Sequence, residues 1–148
     1  MNDNKDIYQE AKRFKQKYPF TICWRLKKHS QVIQKHLNTD EKVLYVFCAQ
    51  NNDNVLDIAT SCVIALTNKR ILIGQKRVLF GYFLTSITPD LFNDLKVRRG
   101  ILWGRIYIDT VKELVKYSNI SPKALPEIET AITTYMMEEK QKYAVNKN

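Results

Sequence analysis

The chain has 148 residues, of which 45% are hydrophobic and 26% are charged. This length suits one main globular domain, and the ordinary composition excludes a low-complexity or fibrous chain. The net charge of +9 favours an anionic partner such as a membrane surface or a nucleic acid, although many basic domains bind neither. Lys76 and Arg77 interrupt the most apolar region, so no stretch reaches the roughly 18 apolar residues of a membrane span.

Cysteine usage and the polar N-terminus bear on the cellular location. The cysteines Cys23, Cys48 and Cys62 form an odd set without a CxxC spacing. The first residues contain no apolar segment of the kind that a secretory signal needs. We therefore predict a cytoplasmic protein whose cysteines are free thiols.

The two histidines do not form a recognisable metal site with Cys23. His29 and His36 are seven residues apart, and no CxxC or HxxxH spacing supplies the three convergent ligands that zinc requires. Serine, aspartate and cysteine residues likewise form no nucleophile motif. The sequence predicts two surface histidines, no cofactor, no small-molecule substrate and no enzymatic activity.

Three amphipathic helices are predicted, two of them before the first strand. The first covers residues 5–17, where apolar residues recur every three or four positions and Pro19 follows. The second covers residues 22–37, with lysines largely off its apolar stripe. The last begins near Ser121, and one apolar stripe from Leu125 to Met136 leaves it a single face to bury.

Between these helices the apolar period changes to two, which is typical of strands. Strands are predicted over residues 42–50, 57–66, 70–74, 78–86, 95–98 and 101–109, with a seventh over residues 113–117. One face of the second strand carries small residues, which indicates that another element packs closely there. Consecutive short strands followed by a one-sided helix favour a bent antiparallel sheet whose open end the helix covers.

Two segments carry a resemblance to a known family. The sequence ALTNKRILI at residues 65–73, followed by VRRGILWGRIYI at residues 97–108, resembles the bacterial pleckstrin-homology-like (PH-like) domains, specifically the YokE-like group. DEKVL at residues 40–44 also resembles the acidic lead-in to that family's first strand. The resemblance covers about residues 38–137.

The resemblance implies an α+β, mainly β, fold without an enzyme active site. This fold is a PH-like bent antiparallel sheet, or partly open barrel, of about seven strands capped by a C-terminal helix. We divide the chain into an N-terminal helical extension (residues 1–38), the PH-like domain (39–140) and a disordered tail (141–148). The ligand stays open, because the superfamily contains lipid binders, peptide binders and scaffolds.

Two groups of cations are candidates for contact with an anion or a membrane. One lies in the first helix and comprises Lys12, Arg13, Lys15 and Lys17. The other lies at turns and comprises Lys69, Arg70, Lys76, Arg77, Arg98 and Arg99. Alternate turns of an up-and-down sheet lie at opposite ends, so the turn cations do not form a single patch. The first strand-to-strand loop carries Asp53 and Asp57 but no cation, which argues against phosphoinositide headgroup recognition there.

Trp103, Arg105 and Tyr107 alternate on one face of the strand predicted over residues 101–109. This face either fills the core or, if it is exposed, provides a surface for a partner protein. We predict a non-enzymatic interaction module that binds a protein partner or self-associates as a homo-oligomer. The alternative is peripheral binding to an anionic lipid surface through basic helices and turns. Non-specific nucleic-acid binding is a third hypothesis, which no recognised motif supports.

Overall fold

A computed structural model describes residues 4–146. Two helices, α1 (Ile7–Lys17) and α2 (Leu26–His36), precede the strands, and α3 (Leu125–Asn146) follows them. The strands are β1 (Val43–Gln50), β2 (Ser61–Thr67), β3 (Ile71–Lys76), β4 (Tyr82–Ile87), β5 (Phe92–Arg99), β6 (Gly104–Thr110) and β7 (Leu114–Ile120). They form one antiparallel sheet in the order β4-β3-β2-β1-β7-β6-β5. The predicted α+β fold with seven strands is confirmed.

The sheet is nearly divided between β1 and β7. These strands pair only at Gln50 and Ser118, whereas the other neighbouring strands pair over four to seven positions. The sheet therefore has one half made of β1 to β4 and another made of β5 to β7. Ile128, Ile132 and Met136 of α3 are buried in the core, which agrees with the predicted apolar stripe.

Helix α2 covers the outer face of β2 and β3. A Cβ atom at Gly74 would lie 2.6 Å from Ile33 Cγ1 and 2.9 Å from the His29 carbonyl oxygen, so only glycine allows this close approach. Gly74 pairs with Val63 of β2, one of the small residues that predicted close packing. Every residue of β2 is buried because both faces of the strand are covered.

Helix α1 packs against β1 and contacts α3. The Phe14 ring centroid lies 6.4 Å from that of Tyr45 and 6.2 Å from that of Phe47. Glu127 of α3 accepts hydrogen bonds from Lys17 Nζ at 2.6 Å and from the Tyr45 hydroxyl at 2.8 Å. Both helices of the extension therefore share one core with the sheet.

Two predictions about buried side chains in the extension are wrong. Cys23 and Cys48 form a disulfide with a Cα–Cα distance of 6.2 Å, whereas we predicted free thiols; Cys62 is free and buried. The sequence could not reveal the pair because it forms only when the extension folds over β1. His29, predicted at the surface, is 1% exposed because α2 turns that side toward β3.

Two predicted boundaries also need correction. Residues 78–80, assigned to a strand, form the tip of the β3–β4 hairpin, because β3 continues to Lys76 and β4 begins at Tyr82. Residues 141–146, which we assigned to a disordered tail, continue α3 in the structure. No glycine or proline interrupts the chain between Pro126 and Asn146, so nothing local ends the helix. Residues 147 and 148 lie outside the described residues.

A buried ion pair joins the extension to the sheet. Arg70 Nε and Nη2 donate to the two carboxylate oxygens of Glu41, each at 3.0 Å, and Nη2 also donates to the His36 carbonyl at 3.1 Å. Glu41 is fully buried. Its burial would raise the carboxyl pKa, but hydrogen bonds from Arg70, Thr67 and the Asn38 backbone outweigh it and hold the pKa below its ordinary value.

We expect Arg70→Met to destabilise the protein by about 3–5 kcal/mol, because it leaves the Glu41 carboxylate buried without its counter-ion. Urea unfolding measures this change. Lys69→Met is the matched control, since it removes only the exposed pair with Asp40 and should change stability little. A double variant, Glu41→Leu with Arg70→Met, should recover part of the loss; equal effects of the two single variants at positions 69 and 70 would contradict this account.

His29 should make stability fall as pH falls toward 5. Burial, with the nearby Arg25 charge, lowers the pKa of His29 to about 4, whereas in the unfolded chain it is about 6.5. Between these values only the unfolded state gains the proton, so roughly 2 kcal/mol is lost between about pH 7.5 and pH 5. Urea unfolding at both pH values measures the loss. His29→Gln should remove it, and an unchanged slope in this variant would contradict the assignment.

Candidate functional site

Three of the four candidate cations of α1 are held by partners within the chain. Arg13 pairs with Glu10 at 2.8 Å and Lys17 with Glu127 at 2.6 Å. Lys15 Nζ donates to the Pro19 carbonyl at 3.0 Å and to the Thr21 carbonyl, and burial lowers its pKa. Lys12 lies over the Tyr8 ring. The α1 cations therefore present no continuous basic surface.

The turn cations divide among three places, as expected from the strand order. At the β2–β3 turn Lys69 pairs with Asp40 at 2.7 Å, and Arg70 is engaged by Glu41. At the β3–β4 hairpin the Arg77 guanidinium lies 5.5 Å from the Phe83 ring centroid, and Lys76 borders a groove beside α2. Arg98 and Arg99 end β5 in the other half of the sheet.

The β1–β2 loop is an acidic neighbour of the β6 and β7 cations. Asp53 Oδ2 lies 3.1 Å from Arg105 Nη2 and 3.6 Å from Lys116 Nζ. Asp57 accepts a hydrogen bond from the Ala59 backbone nitrogen at 3.0 Å. Both carboxylates have structural contacts, and neither favours an anionic ligand at this loop.

The predicted partner surface separates into two parts. Trp103 stacks on Phe20 with ring centroids 5.5 Å apart, and its indole nitrogen donates to the Phe20 carbonyl at 3.0 Å. Trp103 therefore holds the segment between α1 and α2. Arg105 and Tyr107 lie half-buried on the outer face of β6, while Ile106 and Ile108 between and beyond them enter the core. The expected alternation holds from Arg105 to Ile108, whereas Leu102 and Trp103, which we placed on the same strand, lie in the loop before β6.

The outer faces of β5, β6 and β7 form what we call the charged sheet face. Because cross-strand partners share a face, the register arranges its side chains in three rows. Asp94 lies opposite Asp109, Lys96 opposite Tyr107, and Arg98 opposite Arg105. Strand β7 adds Lys116 beside Tyr107 and Leu114 beside Asp109. Several of these side chains line a shallow cleft of about 750 Å³.

Two of these rows place like charges opposite each other, which weakens a sheet. Within the described residues, none of the ion pairs involves Lys96, Arg98 or Asp109. Exchanging one arginine and one aspartate between the rows would give two attractive pairs. The arrangement separates the aspartate row from the arginine row along the strands, and Asp53 neutralises part of the arginine row through Arg105.

Sequence reasoning found Arg105 and Tyr107 but missed Asp94, Lys96 and Asp109. Their alternation is visible in the sequence, since acid and base are separated by two or four positions along each strand. The placement of Asp94 opposite Asp109, however, depends on the β5–β6 register, which includes an irregularity between Phe92 and Asp94. A one-residue slip would turn these charges to the other face.

The described residues contain no group of three histidine, cysteine, aspartate or glutamate side chains that could hold a metal ion. Cys62 borders a cleft of about 570 Å³ between β2–β4 and β7. Burial raises the pKa of its thiol to about 12, so it lacks the thiolate character of a nucleophile. Between residues 4 and 146 no helix is both long and apolar enough to cross a bilayer.

Comparison with known proteins identifies one family. A family model described as "Bacterial PH domain" matches residues 37–134. No curated protein and no solved structure gives a significant match. The matched range includes all seven strands and the first part of α3, whereas α1 and α2 lie before it.

Removing Arg98 should stabilise the isolated fold. We expect Arg98→Gln to raise the free energy of unfolding by roughly 0.2–0.5 kcal/mol, because it relieves the repulsion with Arg105. Urea unfolding at low and high salt measures the effect, which should shrink as salt screens the charges. Arg99→Gln is the control, since Arg99 lies opposite Gly104; equal changes at both positions would contradict the repulsion.

Proposed function

Because the chain belongs to the bacterial PH domain family, we propose that it is a non-enzymatic protein-binding module whose partner is a second copy of itself. We assign it to the YokE-like group on the two motif segments around residues 65–73 and 97–108. The family supports an interaction role in general terms. The charged sheet face is the observation that supports this particular partner.

The charged sheet face is complementary to a copy of itself turned by 180°. Its arginine row and its aspartate row lie four residues apart along β5, roughly 13 Å. When a two-fold axis runs along the middle row, at right angles to the strands, the arginine row of each copy faces the aspartate row of the other. Such an interface is isologous, and it satisfies both rows at once. Arg98, Asp94 and Asp109 then gain counter-ions that no ion pair of the described residues supplies, whereas Arg105 already has Asp53.

The middle row suits the centre of such an interface. Tyr107 is half-buried and presents an aromatic ring with a polar tip, the kind of side chain that is enriched at interfaces. Lys96 and Lys116 flank it, and their long side chains can extend to the rim while their aliphatic parts cover the ring. A purely acidic partner would satisfy the arginine row but would meet the aspartate row with like charge, so a second copy fits better.

Charge exchange between copies tests this proposal. Arg98→Asp with Arg105→Asp makes both charge rows acidic, and Asp94→Arg with Asp109→Arg makes both rows basic. Each double variant should be monomeric, because both contacts of its homodimer join like charges. Their equimolar mixture should form a mixed dimer, in which every row faces its opposite charge.

Sedimentation velocity at about 50 mM and about 500 mM salt measures these states, and the wild-type dimer should weaken at the higher salt. Arg99→Asp is the matched control and should dimerise as wild type does. A wild-type protein that stays monomeric at about 100 µM, a concentration at which a dimer with a micromolar Kd is largely formed, would overturn the proposal. So would a mixture of the two variants that remains monomeric.

A further inference from the structure

A second surface lies on the other half of the sheet, where α2 meets the β3–β4 hairpin. Lys28 and Lys35 of α2 and Lys76 of β3 line a groove of about 330 Å³, which we call the lysine groove. No carboxylate lines it, and α2 contains no acidic residue. The groove therefore has positive charge, and none of its lysines takes part in an ion pair among the described residues.

An exposed apolar tip projects beside this groove. Val78, Leu79 and Phe80, which we call the hairpin tip, are 51%, 82% and 82% exposed. The Arg77 backbone nitrogen donates to the Gly81 carbonyl at 3.0 Å, and Gly81 has a positive φ of 77°, which glycine adopts without strain. The turn is thus closed by its own backbone and holds the three apolar side chains at its apex.

The groove and the tip are adjacent by register. Lys76 lies directly opposite Tyr82, and this pair is the last one before the turn; both residues line the groove. The Tyr82 hydroxyl lies 3.1 Å from His36 Nε2, which fixes the end of α2 against β4. Apolar side chains therefore project past the sheet, with cations at their base.

We propose that the hairpin tip and the lysine groove dock the protein onto an anionic lipid bilayer. The tip enters the interfacial region, where burial of Leu79 and Phe80 removes apolar surface from water. The lysine groove and Arg77 then lie at the level of the lipid phosphates, which attract them. Lys28 and Lys35 lie outside residues 37–134, so this surface exists only because the extension is packed on the family domain.

The shape and charge of this surface favour a bilayer over a protein. A protruding tip needs a matching cavity in a protein partner, whereas a bilayer accommodates it without one. The cations here carry one sign only, in contrast to the charged sheet face, and a membrane surface offers many negative charges of one sign. The surface also differs from the basic helix α1, whose cations are mostly held by partners within the chain.

Co-sedimentation with vesicles tests this inference. The wild-type chain should bind vesicles of phosphatidylcholine with about 30% phosphatidylglycerol and should bind pure phosphatidylcholine vesicles much more weakly. Leu79→Ser with Phe80→Ser should weaken binding by roughly tenfold or more. Lys28→Gln, Lys35→Gln and Lys76→Gln together should weaken it by about fivefold for each charge removed.

Matched controls remove the same groups elsewhere. Ile101 and Leu102, 100% and 56% exposed, lie in the β5–β6 loop, and their double serine variant should bind as wild type does. A triple variant of Lys42, Lys69 and Lys123 to Gln should retain more binding than the groove variant, although its net charge is the same. Circular dichroism checks that each variant is folded.

Equal losses in the groove variant and the charge-matched control would overturn the inference, since they would indicate attraction by net charge alone. Wild-type binding by the Leu79→Ser, Phe80→Ser variant would also overturn it, as would binding that disappears only when Lys12, Arg13, Lys15 and Lys17 are replaced. Self-association of wild type that the Leu79→Ser, Phe80→Ser variant loses, with no vesicle binding by wild type, would assign the tip to a protein contact instead.

Discussion

The buried carboxylate of Glu41 sets the constraint on which the rest of the structure depends. A carboxylate without exposed surface is stable only with its counter-ion and hydrogen bonds in place, and its partners come from separate parts of the chain. Arg70 brings the β2–β3 turn, and its further bonds to the His36 carbonyl and the Ser86 hydroxyl add the end of α2 and strand β4. A cation that suggested an external anion is therefore one of the groups that fix the extension to the sheet.

That attachment explains why the extension cannot be regarded as an appendage. The outer face of β2 and β3 is apolar and contains Gly74, so it requires a covering element, and α2 fills that role with Ile33 and His29 in contact. The family match begins at residue 37, after α2 has ended. Helix α2, which completes the core, thus lies outside the range that the family model matches. It also supplies two of the three lysines of the groove.

Much of the fold could be predicted from the sequence because period-two alternation and one-sided helices report burial directly. The predictions that failed depended on strand lengths, tertiary contacts and strand register, which the alternation of apolar and polar residues does not report. Residues 78–80 are as apolar as a strand, and only the lengths of β3 and β4 show that they form a turn. The pairing of Cys23 with Cys48 could be predicted only from a tertiary contact, and the placement of Asp94 opposite Asp109 only from the strand register.

The paired cysteines also bear on the cellular location. Because two of the cysteines are paired, the predicted cytoplasmic location loses the support that free thiols gave it.

The two halves of the sheet expose different surfaces to solvent, and this difference decides where binding is expected. Helices α1 and α2 cover much of the half made of β1 to β4, while its edge strand β4, the hairpin tip and the groove at its margin stay exposed. The half made of β5 to β7 keeps its outer face bare, and there Asp94 lies opposite Asp109 and Arg98 opposite Arg105. Arg105 has a counter-ion in Asp53, but no ion pair within the described residues involves the other three, and charges without a partner are ones that selection for stability alone would remove. The proposed contact between copies is placed on this face for that reason.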